Sequence, residues 1–293
     1  MRDRFTALRI TLVTLFSFAC LVLALSARSQ QAPAAKGAAP APAPRHDISG
    51  TWEPANGFSD GIQAQGVKDM PNDGKPAHQL PYTPLGQTTQ KTHHALQGVD
   101  AVLPAFYNDP RDKCEPIGFP RADFYNMRQT QIMQDPYKVA ILYEYAQTWR
   151  VIWTDGRQLP KITDDGVMVD GQLKEPRYYG YSVGKWTDDS TLVVDVVGTM
   201  GDDRTWMDAV GRPVSNELHV TETFHRVNHD RLEMTVVIED PKMYTKPWVA
   251  MNKWPMKLAD PHADVMEMYC SPLEQETYDR EVGNPVSNGL SNK

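Results

Sequence analysis

Residues 218–240, LHVTETFHRVNHDRLEMTVVIED, decide the fold. Leu218, Val220, Glu222 and Phe224 take alternate positions. After the polar segment Val227-Asn228-His229-Asp230, the alternation resumes at Leu232, Met234, Val236 and Ile238. Strand side chains point by turns to the two faces of a sheet, so this stretch reads as two antiparallel strands sharing one apolar face. Upstream, Tyr178–Trp186 and Thr191–Val197 form a second pair around Thr187-Asp188-Asp189-Ser190. In Lys138–Tyr145, Val139, Ile141, Tyr143 and Tyr145 share a face. A tight Ala146-Gln147 turn leads to a second alternation, Trp149, Val151, Trp153, which Asp155-Gly156 ends. Ile48–Glu53 is a first strand.

No long helical period separates these strands. The pattern predicts a mainly β fold, an antiparallel barrel or barrel-like sandwich. The long N-terminal loop between Glu53 and Lys138 is rich in Pro, Gly, Gln and His and is expected to cover a barrel mouth or edge. Ser271-Pro272-Leu273-Glu274 combines a capping box with proline at the first helical position, which predicts a short C-terminal helix.

The chain has 293 residues and is 41% hydrophobic, enough for a real core. Lys+Arg 30 against Asp+Glu 37 gives a net charge of −7, which disfavours a nucleic-acid partner. Twenty-three prolines and 19 glycines argue against a helical bundle.

Arg2, Arg4 and Arg9 precede the apolar run Ile10–Leu25 and the small residues Ser26-Ala27, the order of a secretory signal peptide over residues 1–27. A retained membrane anchor is the alternative. Lipidation at Cys20 is opposed by bulky Phe18 and by the apolar run continuing past the cysteine. Residues 28–45 read as an Ala/Pro-rich disordered linker, and 46–293 as one β-barrel-like domain. The expected location is periplasmic or secreted, with no stable membrane insertion after cleavage. Cys114 and Cys270 would then remain in an oxidising compartment and predict one disulfide, tying the start of the barrel to its last strand. Two buried free thiols are the alternative.

Ser49-Gly50-Thr51-Trp52 resembles the G-x-W opening of lipocalin-like (calycin-like) barrels, whose tryptophan plugs the closed barrel end. A wider set of motifs resembles a family of secreted bacterial proteins common in acidobacterial and proteobacterial genomes. These are Cys114-x-Pro-x-Gly-x-Pro-Arg121, Thr154-Asp155-Gly156-Arg157, Tyr181-Ser182-Val183-Gly184-Lys185-Trp186, Thr191–Asp195, Asp240-Pro241 through Lys246-Pro247-Trp248, and Glu267-x-Tyr269-Cys270. In that family an acidic residue follows the last cysteine closely, where this chain has Ser271-Pro272. The resemblance implies compartment and fold, favours the Cys114–Cys270 pairing, and implies nothing about chemistry.

Glu222 shares its face with Leu218, Val220 and Phe224, so it points toward the core or a cavity. A carboxylate there must be paired or have a raised pKa, as in a functional acid or in a structural ion pair with an arginine. Asp195 interrupts the run Thr191–Val197 and is a second inward candidate if its face is the buried one. Arg121 and Arg157 follow turn-forming Pro or Gly and are candidates to aim a guanidinium at an anionic ligand. Tyr181 and Trp206 are candidate walls of a small-molecule pocket, beside Tyr178, Tyr179, Trp186 and Trp248. The resulting expectation is a binding protein for a small, partly apolar molecule, oriented by aromatic walls and by Glu222 with an arginine. The alternative is a cofactor-free lyase, isomerase or hydrolase using Glu222 or Asp208 as general acid or base. No cofactor or metal is expected. Asp260-Pro261-His262-Ala263-Asp264 and His93-His94 lack metal-ligand spacing, and hydrolase and nucleotide-binding motifs do not occur.

Overall fold

A computed structural model describes residues 40–57, 65–125, 129–201 and 204–283. The expected signal peptide and most of the linker lie outside the described residues. The barrel strands are β1 (Gly50–Pro54), β2 (Thr130–Gln134), β3 (Lys138–Tyr143), β4 (Thr148–Trp153), β8 (Tyr181–Trp186), β9 (Thr191–Val197), β10 (His219–Asn228), β11 (Arg231–Glu239) and β12 (Trp248–Leu258). Between β4 and β8 a separate small sheet is formed by β5 (Lys161–Thr163), β6 (Gly166–Val169) and β7 (Gln172–Lys174). Among the described residues two α-helices are present, α1 (Pro84–Thr92) and α2 (Pro272–Tyr278), the latter capped by Ser271 as its sequence predicts.

The strands close in the order β1, β12, β11, β10, β9, β8, β4, β3, β2 and back to β1. The fold is therefore a barrel rather than a sandwich. One neighbour pair corrects the all-antiparallel expectation, because β4 and β8 run parallel. Their connection is not a hairpin but a crossover carrying the small sheet, and such a connection brings two strands side by side in the same direction. The closing strand β12 carries Lys253 at positive φ and shifts register twice against β11.

Alternation places the core. Leu192, Val194 and Val196 of β9, Val220 and Phe224 of β10, and Leu232, Met234, Val236 and Ile238 of β11 are all buried inside. Each contributes on the order of 1.5–3 kcal/mol by leaving water. On β4 the inward pair is Arg150 and Ile152, and the aromatic face Trp149–Val151–Trp153 points out.

Trp52 is fully buried, and its indole N–H donates to the Ile48 carbonyl at 2.9 Å. Gly50 before it has φ +140, and a Cβ there would stand 2.5 Å from Leu258 Cδ1. The other end, beside the start of β8, is filled by the long loop. Ile117, Phe119, Ala122 and Phe124 join the barrel core, and Phe119 N–H donates to the Tyr178 carbonyl at 2.8 Å. Gly118, at φ +72, lets the chain pass Thr205, whose side chain a Cβ would meet at 2.5 Å. The loop thus covers a barrel mouth, as its length and composition suggest.

Cys114 and Cys270 form a disulfide with Cα atoms 5.5 Å apart. It joins the 3-10 turn Pro110–Lys113 in the long loop to the tail after β12, so it ties two segments outside the barrel strands rather than first strand to last. Among the described residues no helix is long and apolar enough to cross a membrane.

Candidate functional site

Only two residue pairs, Ile152↔Ser182 and Trp153↔Val183, join β4 to β8, whereas six join β8 to β9. At this thin seam a cavity of about 640 Å³ opens on the outside of the barrel. Most of its walls come from three places. Strand β4 contributes Trp149, Val151 and Trp153, and the segment entering β8 contributes Arg177, Tyr178, Tyr179 and Tyr181. The small sheet brings Val169 and Asp170 across. Trp149 is 65% exposed and stands beside Trp153 on this outer face.

Two arginines stack on these walls. The Arg157 guanidinium lies 3.7 Å from the Trp153 ring centroid, and that of Arg177 lies 4.2 Å from Tyr181. Asp155 grips Arg157 with both oxygens, receiving from Nε at 2.9 Å and Nη2 at 2.7 Å. This bond holds the Asp155 carboxyl below its ordinary range. Tyr181 is fixed by donating its hydroxyl to the Glu175 carbonyl at 2.9 Å. Tyr178 donates to Glu115 and receives from Arg204, closing the rim.

Behind the seam lies a polar network in the barrel interior. Arg150 Nη2 donates to Glu222 Oε1, and Arg150 Nε donates to the Tyr143 hydroxyl at 2.9 Å. Tyr143 donates in turn to Asp123 Oδ1 at 2.7 Å. The guanidinium also stacks on Phe119, 4.3 Å from its centroid. Burial pushes Glu222 well above the ordinary carboxyl range; Arg150 opposes this, and neighbouring Asp123 adds to it. Tyr143 rises as well, first through burial. Burial disfavours the charge on Arg150, but Glu222, Tyr143 and Asp123 more than compensate and hold it protonated.

Of the residues singled out in the sequence, Arg157 and Tyr181 lie together in the cavity wall. Glu222 is fully enclosed in the network behind it. Arg121 is buried in the loop, bound bidentately by Asp109 at 2.9 and 2.6 Å. Burial pushes Asp109 up, but Arg121 pulls it below its ordinary value. Trp206 stacks on His93 with centroids 4.5 Å apart, pinning the end of α1. Asp208 pairs with Arg212 at 3.1 Å and receives the backbone N–H groups of Val210 and Arg212. Asp195 faces outward, receiving from Thr221 and lying 2.8 Å from His219. Among the described residues no group of three or more His, Cys, Asp or Glu could hold a metal ion.

Sequence reasoning missed Arg177, Arg150 and Asp123. Arg177 follows Pro176, the same cue that singled out Arg121, and tyrosines follow it. Arg150 sits between Trp149 and Val151, on the face opposite the aromatic stripe, so its inward direction required knowing which face is buried.

Comparison of the chain with protein-family models, with curated proteins and with solved structures gives no match.

Proposed function

We propose that the protein binds a small, largely apolar molecule in the cavity at the β4/β8 seam. The carrying observation is the wall itself, in which Trp149, Trp153, Tyr178 and Tyr181 stand around about 640 Å³ with few polar groups. That size and composition are typical of small-molecule pockets. The full enclosure of Glu222 and its bond to Arg150 favour this reading over one in which Glu222 transfers protons. The Cys114–Cys270 disulfide supports a periplasmic or secreted location, where such a cross-link persists.

The test is mass spectrometry of small molecules that co-purify with protein exported to the periplasm, repeated with Trp149→Ala and Trp153→Ala together. A compound retained by the wild type and lost by the double variant supports the reading. A compound retained equally by both places the site elsewhere.

A further inference from the structure

We infer that the ligand is a flat, largely apolar organic anion whose charged end is received by Arg177; this rests on the cavity being the binding site. The cavity cations differ in whether they already have a carboxylate. Arg157 is held by Asp155 through two short bonds, and Asp170 adds to its negative surroundings. Arg150 is held by Glu222 and Tyr143. Arg177 differs. Its guanidinium rests on Tyr181 and has no ion pair or side-chain hydrogen bond among the described residues. Stacking occupies one flat face and leaves the N–H edge, the geometry that takes an anionic oxygen pair bidentately.

The carboxylate content of the wall points the same way. Asp170 is the one carboxylate in the wall, and it lies in the field of Arg157. A neutral hydrocarbon would leave the Arg177 N–H edge without an acceptor, and a cation would meet its charge directly. The aromatic walls set the rest of the ligand, because flat rings stack on Trp and Tyr faces.

A matched pair of fluorescent probes separates the two claims. 8-Anilinonaphthalene-1-sulfonate and N-phenyl-1-naphthylamine share one ring system and differ by the sulfonate. Titrations would use the wild type, Arg177→Met and Trp149→Ala, with thermal melts to show that each variant is folded. The wild type should bind the sulfonate roughly tenfold tighter than the neutral probe, as a charge-assisted contact implies. Arg177→Met should erase that preference and remove the salt dependence of sulfonate binding. Equal affinities in the wild type, or a preference that survives Arg177→Met, would overturn the anion assignment and leave the cavity standing. Failure of both probes to bind, or neutral-probe binding indifferent to Trp149→Ala, would remove the cavity reading and this inference with it.

Discussion

Arg226 stacks over Trp52, its guanidinium 5.1 Å from the indole centroid, and both are buried at the same end of the barrel. Arg226 Nη1 donates to the carbonyls of Asp47 and Ser49 at 3.0 and 3.3 Å, and Nη2 to that of His229 at 2.8 Å. One side chain thus ties the chain before β1 to the β10–β11 turn. A lysine cannot reach three carbonyls from a planar fork. Arg226→Lys should therefore cost about 1–3 kcal/mol through the lost hydrogen bonds. Urea unfolding checks this, and a loss within 0.5 kcal/mol would show that the three bonds add little.

How far this end was readable differs from residue to residue. Trp52 could be placed because Gly50-Thr51-Trp52 is a local motif. Arg226 could not, because Trp52, Asp47 and Ser49 lie far away in the chain. The same division runs through the barrel. The alternation of β10 and β11 is regular enough to place both strands and core face, Glu222 included, whereas Asp195 left the core face of β9 open. Strand β12 hid because Asn252, Lys253 and Pro255 interrupt its alternation, and the bulges that accommodate them depend on β11. The short strands β5–β7 carry little apolar pattern of their own. The cavity was half legible. Arg157 and Tyr181 announced themselves as residue types, but their meeting depends on the parallel seam, and nothing local encodes which strand becomes a neighbour across a crossover.

The disulfide acts on segments outside the barrel. Cys114→Ser with Cys270→Ser should leave the barrel and its far-ultraviolet spectrum intact. Releasing a link between residues separated by 156 positions should still lower stability by about 2–5 kcal/mol, chiefly through the freed unfolded chain. Guanidinium unfolding of the double variant against the oxidised wild type measures the difference. Collapse of the native spectrum would mean that the link holds the barrel itself.

Asp112 gives the docked tail a pH dependence. Burial, and then the neighbouring Asp279 carboxylate, push Asp112 from 3.8 up to about 6. Gln275 of α2 donates to Asp112 at 2.8 Å and to Asp279 at 3.1 Å, so helix and loop meet at this carboxyl. The folded state binds the Asp112 proton more tightly than the unfolded state does. The docked form is therefore favoured at low pH and weakens as pH rises through the window between 3.8 and about 6. After correction for intrinsic rates, amide exchange in Gln275–Tyr278 should be slower at pH 5 than at pH 7.5. Asp112→Asn should remove the difference, and a wild type equally protected at both pH values would refute it.

Arg150 and Glu222 should respond unequally to mutation, although they are partners. Both side chains are at least 98% enclosed, and Asp123 joins them through Tyr143. Arg150→Met would leave Asp123 and Glu222 in the barrel interior without their cation. That should cost about 3–5 kcal/mol, the usual penalty for orphaning a buried partner. Glu222→Gln removes much less. Burial already favours the protonated carboxyl, and the amide oxygen of glutamine can still receive Arg150 Nη2. Its cost should be about 1 kcal/mol. The pH dependence carries the same asymmetry. The folded-state pKa of Glu222 is raised above 4.5, so the folded protein holds an extra proton, and stability falls as pH climbs from that value. Glu222→Gln has no such proton to lose and should flatten the slope. Urea unfolding at pH 5 and pH 8 for the wild type and both variants tests the two statements together. If Glu222→Gln were as costly as Arg150→Met and left the slope unchanged, Glu222 would be a full anion at neutral pH.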